Sequence, residues 1–324
     1  MHSSIFSITT PQEFDALALK TFRFQYSNNK VYRQFCELLQ VNPSEIKEVS
    51  KIPFFPIQFF KSHEVTSLDQ APEITFSSSG TTGSQTSKHY VSDLSIYEES
   101  FRRCFQHFYG DIEDYAVLAL LPSYLEREGS SLIYMVDDLI KKSKNKHSGF
   151  YLHDLSALKS QLELLNSTDQ KILLIGVSFA LLDLVEQFSF NLNNTIVMET
   201  GGMKGRRKEM IRTELHEVLK KGFGVPHIHS EYGMTELLSQ AYSSKNGIFE
   251  CPPWMKLFIR DPEDALCLLP EGKSGGINVI DLANINSCSF IATQDLGKDL
   301  GAGKTEILGR FDNSDIRGCN LLVL

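Results

Sequence analysis

The chain reads as an α/β protein, with a parallel or mixed sheet covered by helices on both faces and a smaller β-rich lobe at the end. Three observations predict this. Residues 115–121 and 171–177 are nearly continuous apolar runs, and 195–198 is a shorter one, as suits strands buried on both faces. Stretches of helical periodicity alternate with those runs. Beyond about residue 250 the helical signals stop, and Gly-rich turns separate short β-like segments at 276–280, 289–293 and 305–308. The expected organisation is one domain over 1–324, an α/β core at 1–250 and a β-rich lobe at 251–324.

Taken in order, residues 12–40 carry Phe14, Leu17, Leu19, Phe22, Phe24 and Tyr26, then Val31, Phe35, Leu38 and Leu39, which predicts peripheral helix. Ile52-Pro53-Phe54-Phe55-Pro56-Ile57 is bracketed by two prolines and so predicts an extended aromatic strip. From Ser92 onward, Ile96, Tyr97, Phe101, Cys104, Phe105 and Phe108 recur at helical spacing, with Asp93, Glu98 and Glu99 near the start. Leu155, Leu158, Leu162 and Leu165 mark a further helix, and Met210, Ile211, Leu215, Val218 and Leu219 another.

Composition narrows the class of function. Apolar residues make up 42% and charged residues 22%, ordinary for a soluble domain. No run approaches the roughly 18 apolar residues of a membrane span, and the N-terminus lacks the basic flank and apolar stretch of a secretion signal. A cytoplasmic protein without a membrane span is expected. A net charge of −8 argues against nucleic acid as partner, and the basic cluster at 204–208 reads as solvated surface. The cysteines at 36, 104, 251, 267, 288 and 319 form no Cys-x-x-Cys pair, so neither zinc nor a disulfide framework is signalled. His227 and His229 alternate along an apolar segment and read as packing residues.

The richest segment is Thr75-Phe76-Ser77-Ser78-Ser79-Gly80-Thr81-Thr82-Gly83-Ser84, made almost entirely of hydroxyl residues and glycine. Small hydroxyls can donate to phosphate oxygens, and glycines let successive N–H groups form a concave anion nest. The same composition also describes a flexible linker. The segment is neither a Walker A loop nor a dinucleotide fingerprint.

Four further segments accompany it: Glu199-Thr200-Gly201-Gly202-Met203, Ser230-Glu231-Tyr232-Gly233-Met234-Thr235-Glu236, Ala292-Thr293-Gln294-Asp295-Leu296-Gly297, and the block from Gly309-Arg310-Phe311-Asp312 to Gly318. In that order they resemble the adenylate-forming superfamily of acyl-CoA synthetases, peptide-synthetase adenylation domains and luciferases. The resemblance implies ATP and Mg²⁺. By it, Ser77, Ser78, Ser79, Gly80, Thr81, Thr82 and Gly83 hold the phosphates, while Gly201, Gly202 and Tyr232 flank the adenine with Met203 and Gly233 in the same nucleotide site. Thr235 meets the α-phosphate, Glu236 helps hold Mg²⁺, Asp295 accepts from the ribose hydroxyls and Arg310 reaches the same sugar. The fold implied is the large adenylate-forming domain. Where most members carry Pro-Lys after the loop, this chain has Gln85 and Thr86, with Lys88 two residues on; phenylacetate-CoA ligase-like members also place threonine there.

The superfamily normally continues past the Gly-Arg-x-Asp hinge into a mobile domain, which is expected to be absent here. In this, and in the segments 53–61 and 121–127, the chain resembles the LuxE-type acyl-protein synthetases of the bacterial luminescence fatty-acid reductase system. That likeness implies transfer of an activated fatty acyl group to a cysteine near the C-terminus, here Cys319, with an acyl-CoA reductase or acyl carrier protein as the partner that receives it. A thiolate beside Arg317 or Arg310 would be a suitable nucleophile, while a cysteine at the start of an apolar strand is equally a packing residue. Arg127 and Ser130 are candidates for the carboxylate region by position alone. Two alternatives stay open: a ligase that delivers to coenzyme A or a carrier protein, and an inactive nucleotide-binding scaffold.

Overall fold

The computed structural model describes residues 2–78, 85–122, 129–201, 207 and 210–311. The chain opens with helices α1 (His2–Ile5), α2 (Pro11–Asn28) and α3 (Lys30–Leu38), then a two-residue strand β1 (Phe55–Pro56), strands β2 (Ile74–Ser77) and β3 (Lys88–Val91), and α4 (Leu94–Tyr109). There follow β4 (Tyr115–Leu120), α5 (Ser131–Ser143), β5 (Gly149–Phe150), α6 (Leu155–Asn166), β6 (Lys171–Val177), α7 (Ser178–Gln187), β7 (Thr195–Thr200), α8 (Arg212–Phe223) and β8 (His229–Tyr232). Short strands β9 (Ala241–Ser243) and β10 (Ile248–Glu250) lead to β11 (Met255–Arg260), β12 (Ser274–Asp281), β13 (Phe290–Gly301) and β14 (Lys304–Arg310).

Two compact units result. The first spans residues 98–235 and 240–249. Its strands β5, β4, β6, β7 and β8 run parallel, and β9 closes antiparallel on β8, so the sheet is mixed. β4 is buried throughout and β6 everywhere except Lys171, as their apolar runs require. Alternate residues face opposite layers. On one face His229 meets Tyr109 of α4, and on the other Ser230 meets His216 of α8. Helices therefore cover both faces, as expected.

The second unit holds 2–97, 236–239 and 250–311 of the described chain. β11, β12, β13 and β14 form an antiparallel meander, with β1 added parallel to β13 through Phe55↔Ile291 and Pro56↔Ala292. The proline-bracketed strip is extended because neither proline can supply helical hydrogen bonds, and its Phe54 and Phe55 are buried.

Three expectations are corrected. Residues 12–40 are helical but not peripheral: Phe22 and Tyr32 are fully buried, with ring centroids 6.2 and 6.1 Å from Phe290. Gln25 donates to the carbonyls of Asn284 (3.0 Å) and Ile285 (2.9 Å), and Ser289 N–H donates back to it. A buried amide that satisfies both of its ends against another segment fixes the helix in the core. Second, the residues just before Ser92, to which the sequence pattern assigns no element, form β3, an alternating strand too short to stand out beside the helix that follows. Third, Met210 and Ile211 precede α8, and Ile211 and Val218 are exposed; the inward face is Leu215, His216, Leu219 and Phe223.

No described helix is long and apolar enough to cross a membrane. Arg207, from the basic cluster, is paired with Asp183 and Glu186. His227 lies before β8 and is exposed, while His229 is half-buried. Desolvation lowers the His229 pKa to about 4, with His227 and His216 adding to the effect.

Candidate active site

The two described flanks of the glycine segment pair with each other. β2 and β3 pair antiparallel with Ser77 opposite Lys88, and the pairing is extended twice: Ser78 N–H donates to Ser87 O (3.1 Å) and Ser87 N–H to Ser78 Oγ (2.9 Å). These flanks thus belong to one ribbon. Ser79, Gly80, Thr81, Thr82, Gly83, Gly202, Met203, Arg127 and Cys319 lie outside the described residues. Ser130 caps α5, its hydroxyl accepting from Ile133 N–H.

Glu236 is buried in an irregular turn beside this ribbon. Burial pushes its pKa up; a hydrogen bond from Ser87 and the positive charge of Arg310 work against that, and Asp295 adds to the rise. The segment 236–239 is held by two buried residues that sequence reasoning did not single out. Asn284 donates to Glu236 O (2.7 Å) and bonds His89 of β3 through Oδ1 (2.9 Å). Asp281 accepts from Leu238 N–H (2.7 Å), Ser239 N–H (2.9 Å), Ser239 Oγ–H (2.6 Å) and Ala283 N–H (3.1 Å). A short polar residue at the end of a strand was the available signal, but it looks the same as any turn former.

Asp295 and Arg310 face each other in the β13–β14 register, with Arg310 Nε 3.7 Å from Asp295 Oδ1. Arg310 is otherwise exposed, so it can swing toward a ligand. Behind them Arg260 donates to Ile277 O (2.7 Å), Asn278 Oδ1 (3.0 Å) and Thr293 O (2.7 Å), and its guanidinium sits 5.7 Å from the Phe311 ring. Thr293 in turn accepts from Asp295 N–H. Arg260 therefore contacts Thr293 and Phe311, which flank the Asp295–Arg310 pair. Gly276 leaves room for it: a Cβ there would stand 2.5 Å from Arg260 Cζ, and the guanidinium would have to shift from its hydrogen bonds. Gly275-Gly276 inside a strand pattern was a legible sign of close approach. Gly276→Ala is expected to destabilise the fold by about 1–3 kcal/mol and to weaken nucleotide binding, checked by urea unfolding and titration calorimetry.

The α/β unit supplies another group of the expected residues. Gly201 follows β7 with φ +66°, a left-handed conformation that glycine accepts freely, and its carbonyl receives the Ser178 hydroxyl at 3.0 Å. Tyr232 ends β8, buried against Phe249 with centroids 6.2 Å apart. Gly201 and Tyr232 thus stand at the carboxyl ends of neighbouring parallel strands, where open α/β sheets bind ligands. Thr235 is half-buried just beyond. A Cβ on Gly233 would lie 2.4 Å from Glu231 Oε1, so that carboxyl would have to shift to admit one.

Beneath them Glu199 is buried, with Arg212 Nε at 3.3 Å and His216 Nε2 at 3.6 Å. Burial pushes its pKa up, but the His216 hydrogen bond and the Arg212 charge outweigh this and the net shift is downward. Arg212 also stacks on Phe249 at 5.0 Å, so it braces Tyr232 indirectly.

Among the described residues no group of three or more His, Cys, Asp or Glu could hold a metal ion by itself. A Mg²⁺ carried by substrate phosphates needs only one or two protein carboxylates, and Glu236 fits that limited role.

Residues 9–103 match the model of the family described as "Acyl-protein synthetase, LuxE". Over 327 residues the chain is 25% identical to the long-chain-fatty-acid–luciferin-component ligase of Vibrio harveyi, covering 93% of this chain and 84% of that protein. It is 38% identical over 68 residues to the ligase of the same name from Photorhabdus luminescens, covering 21% of this chain and 58% of that one. Among solved structures it resembles a 2-hydroxyisobutyryl-CoA ligase in complex with 2-HIB-AMP and CoA, with a TM-score of 0.66 at 13% identity over 93% of this chain and 70% of the other. It also resembles ATP-bound MatB from Rhodopseudomonas palustris, with a TM-score of 0.56 at 17% identity over 75% of this chain, and it spans about half (50%) of the MatB length. The chain is thus similar to the LuxE acyl-protein synthetases over residues 9–103 and to a luciferin-component ligase along most of its length, and its fold resembles that of the 2-hydroxyisobutyryl-CoA ligase.

Proposed function

We propose that the protein activates a long-chain fatty acid with ATP and passes the acyl group to a cysteine thiol, Cys319. The acid's carboxylate oxygen attacks the α-phosphorus, the bond to pyrophosphate breaks, and acyl-AMP forms. The thiolate then attacks the acyl carbonyl and AMP leaves, so that a thioester remains for an acyl-CoA reductase or acyl carrier protein to take. In this scheme the 77–84 loop and Thr235 bind the phosphates, Glu236 contributes an oxygen to Mg²⁺, Asp295 and Arg310 bind the ribose, and Gly201, Gly202, Met203, Tyr232 and Gly233 surround the adenine. The Mg²⁺ supplies charge for the leaving pyrophosphate when bound. The protein's own part is to hold the reacting groups in line and to aim donors at the α-phosphate.

The observation that carries this reading is the grouping of Glu236, Asp295 and Arg310 near Ser87 of the ribbon, three ligand-type side chains from distant segments joined by mutual electrostatic influence. The fatty-acid choice is supported by the name of the Vibrio harveyi relative, a long-chain-fatty-acid–luciferin-component ligase.

Acid-dependent pyrophosphate exchange across a panel of fatty and aryl acids tests it. Exchange with long-chain fatty acids, together with thioester labelling that is lost in Cys319→Ser while exchange persists, is the expected result. Labelling that survives the substitution would favour delivery to coenzyme A or a carrier protein. A folded protein that binds ATP but exchanges with no acid would be a nucleotide-binding scaffold.

A further inference from the structure

Glu231 is a buried carboxyl that the proposed chemistry does not use. It precedes Tyr232 on β8, pairs in register with Thr200 of β7 on one side and with Tyr242 of β9 on the other, and accepts a short hydrogen bond from the Thr200 hydroxyl. Thr200 in turn precedes Gly201. The bond therefore ties the ends of two strands directly beneath the segments assigned to adenine. The carboxyl's other oxygen fills the space that a side chain on Gly233 would take: a Cβ there would stand 2.4 Å from it and 3.4 Å from Gln240 Cγ.

We propose that Glu231 is a positioning residue for the nucleotide: its carboxyl, held by Thr200, sets the separation of Thr200-Gly201 from Tyr232-Gly233. The proposal rests on the nucleotide reading above.

The surroundings make this tie sensitive to pH. From α4, Tyr109 faces Glu231, and burial keeps that phenol protonated. His229, two residues earlier on β8, is held neutral by desolvation, and Tyr242 meets Tyr109 edge-on at 5.3 Å. Through the sheet stands Glu199, kept ionised by His216 and Arg212 from α8. Glu231 thus lies in a desolvated place beside a carboxylate. Burial first, and Glu199 in addition, push its pKa up to about 7, against the lowering effect of the Thr200 bond. Gln240 Oε1 is buried without a hydrogen-bond partner among the described residues, an acceptor in the same neighbourhood as a protonated Glu231.

The sign follows from proton counting. An unfolded chain releases this proton near the usual value of 4.5, whereas the folded chain holds it to about 7. The stability that Glu231 contributes is present below the first value and is lost as pH rises through the second. Above it, a second buried negative charge faces Glu199, and the two strand ends are pushed apart.

The test is calorimetric binding of ATP at about pH 6 and about pH 8.5, with Mg²⁺ in excess so that the nucleotide keeps one charge state. Wild-type affinity is expected to fall roughly fivefold between the two. Glu231→Gln, which keeps the acceptor and cannot ionise, is expected to bind with a flat profile. Thr200→Val, which removes the donor and keeps the shape, is expected to bind weakly at both pH values. Wild-type binding that ignores pH, a glutamine variant that follows the wild-type curve, or a valine variant that matches wild type would overturn the positioning role and leave nucleotide binding intact. A folded wild type that binds no ATP at any pH would overturn the nucleotide reading itself, and this proposal with it.

Discussion

Replacing Asp281 by alanine is expected to lower the unfolding free energy by roughly 3–5 kcal/mol. The carboxylate accepts from three backbone N–H groups and the Ser239 hydroxyl, all in a site closed to water. Alanine leaves those donors with no partner, and each buried unsatisfied donor costs on the order of 1–3 kcal/mol, partly relieved by local rearrangement. The neighbouring indole of Trp254 also donates to Ser239 Oγ, so the disturbance spreads into the core. Chemical denaturation measures the loss. Asp281→Asn should cost less, because one acceptor survives while the other becomes a donor facing donors. A loss under about 1 kcal/mol for alanine would mean that segment 236–239 is held by other contacts. Because that segment carries Glu236, exchange activity should fall alongside stability.

Glu236→Gln is expected to separate those two quantities. Exchange activity should drop about a hundredfold or more, since an amide oxygen is a poor replacement for a carboxylate on Mg²⁺ and the transition-state charge goes uncompensated. Stability should be unchanged or higher. The native carboxyl is buried, and that burial, the largest influence on it, works against its ionised form. Glutamine removes the charge and keeps an acceptor for Ser87. Activity of the wild type should rise with pH through the raised Glu236 value, because the ionised form is the one that can ligate the metal, and the glutamine variant should lose that limb. Thermal melts and exchange assays across pH check both halves. A variant with full exchange activity would remove Glu236 from the metal-binding role.

Much of this was legible in the residues. The apolar runs at β4, β6 and β7 announced strands buried on two faces, and the strand pattern beyond residue 250 announced the meander. The prolines around Phe54 and Phe55 excluded a helix there. The expected ligand residues were legible as short motifs. What held them was not, because a supporting residue is defined by a partner distant in sequence. Gln25 is bonded to residues 259 and 260 positions away, and its helix looked peripheral for that reason.

The order of strands, helices and motif segments was determined by the sequence alone, since periodicity, proline and glycine act within a few residues of themselves. Tertiary structure alone decided that Asn284 and Asp281 fasten the Glu236 turn, that Arg260 passes through the space left by Gly276, and that Glu231 shares a hydrogen bond with Thr200. Each of those roles depends on burial and on a neighbour brought close by the sheet. The charge state of a carboxyl such as Glu231 depends on the same two things, on desolvation and on the groups that face it, and a linear chain specifies neither until it folds.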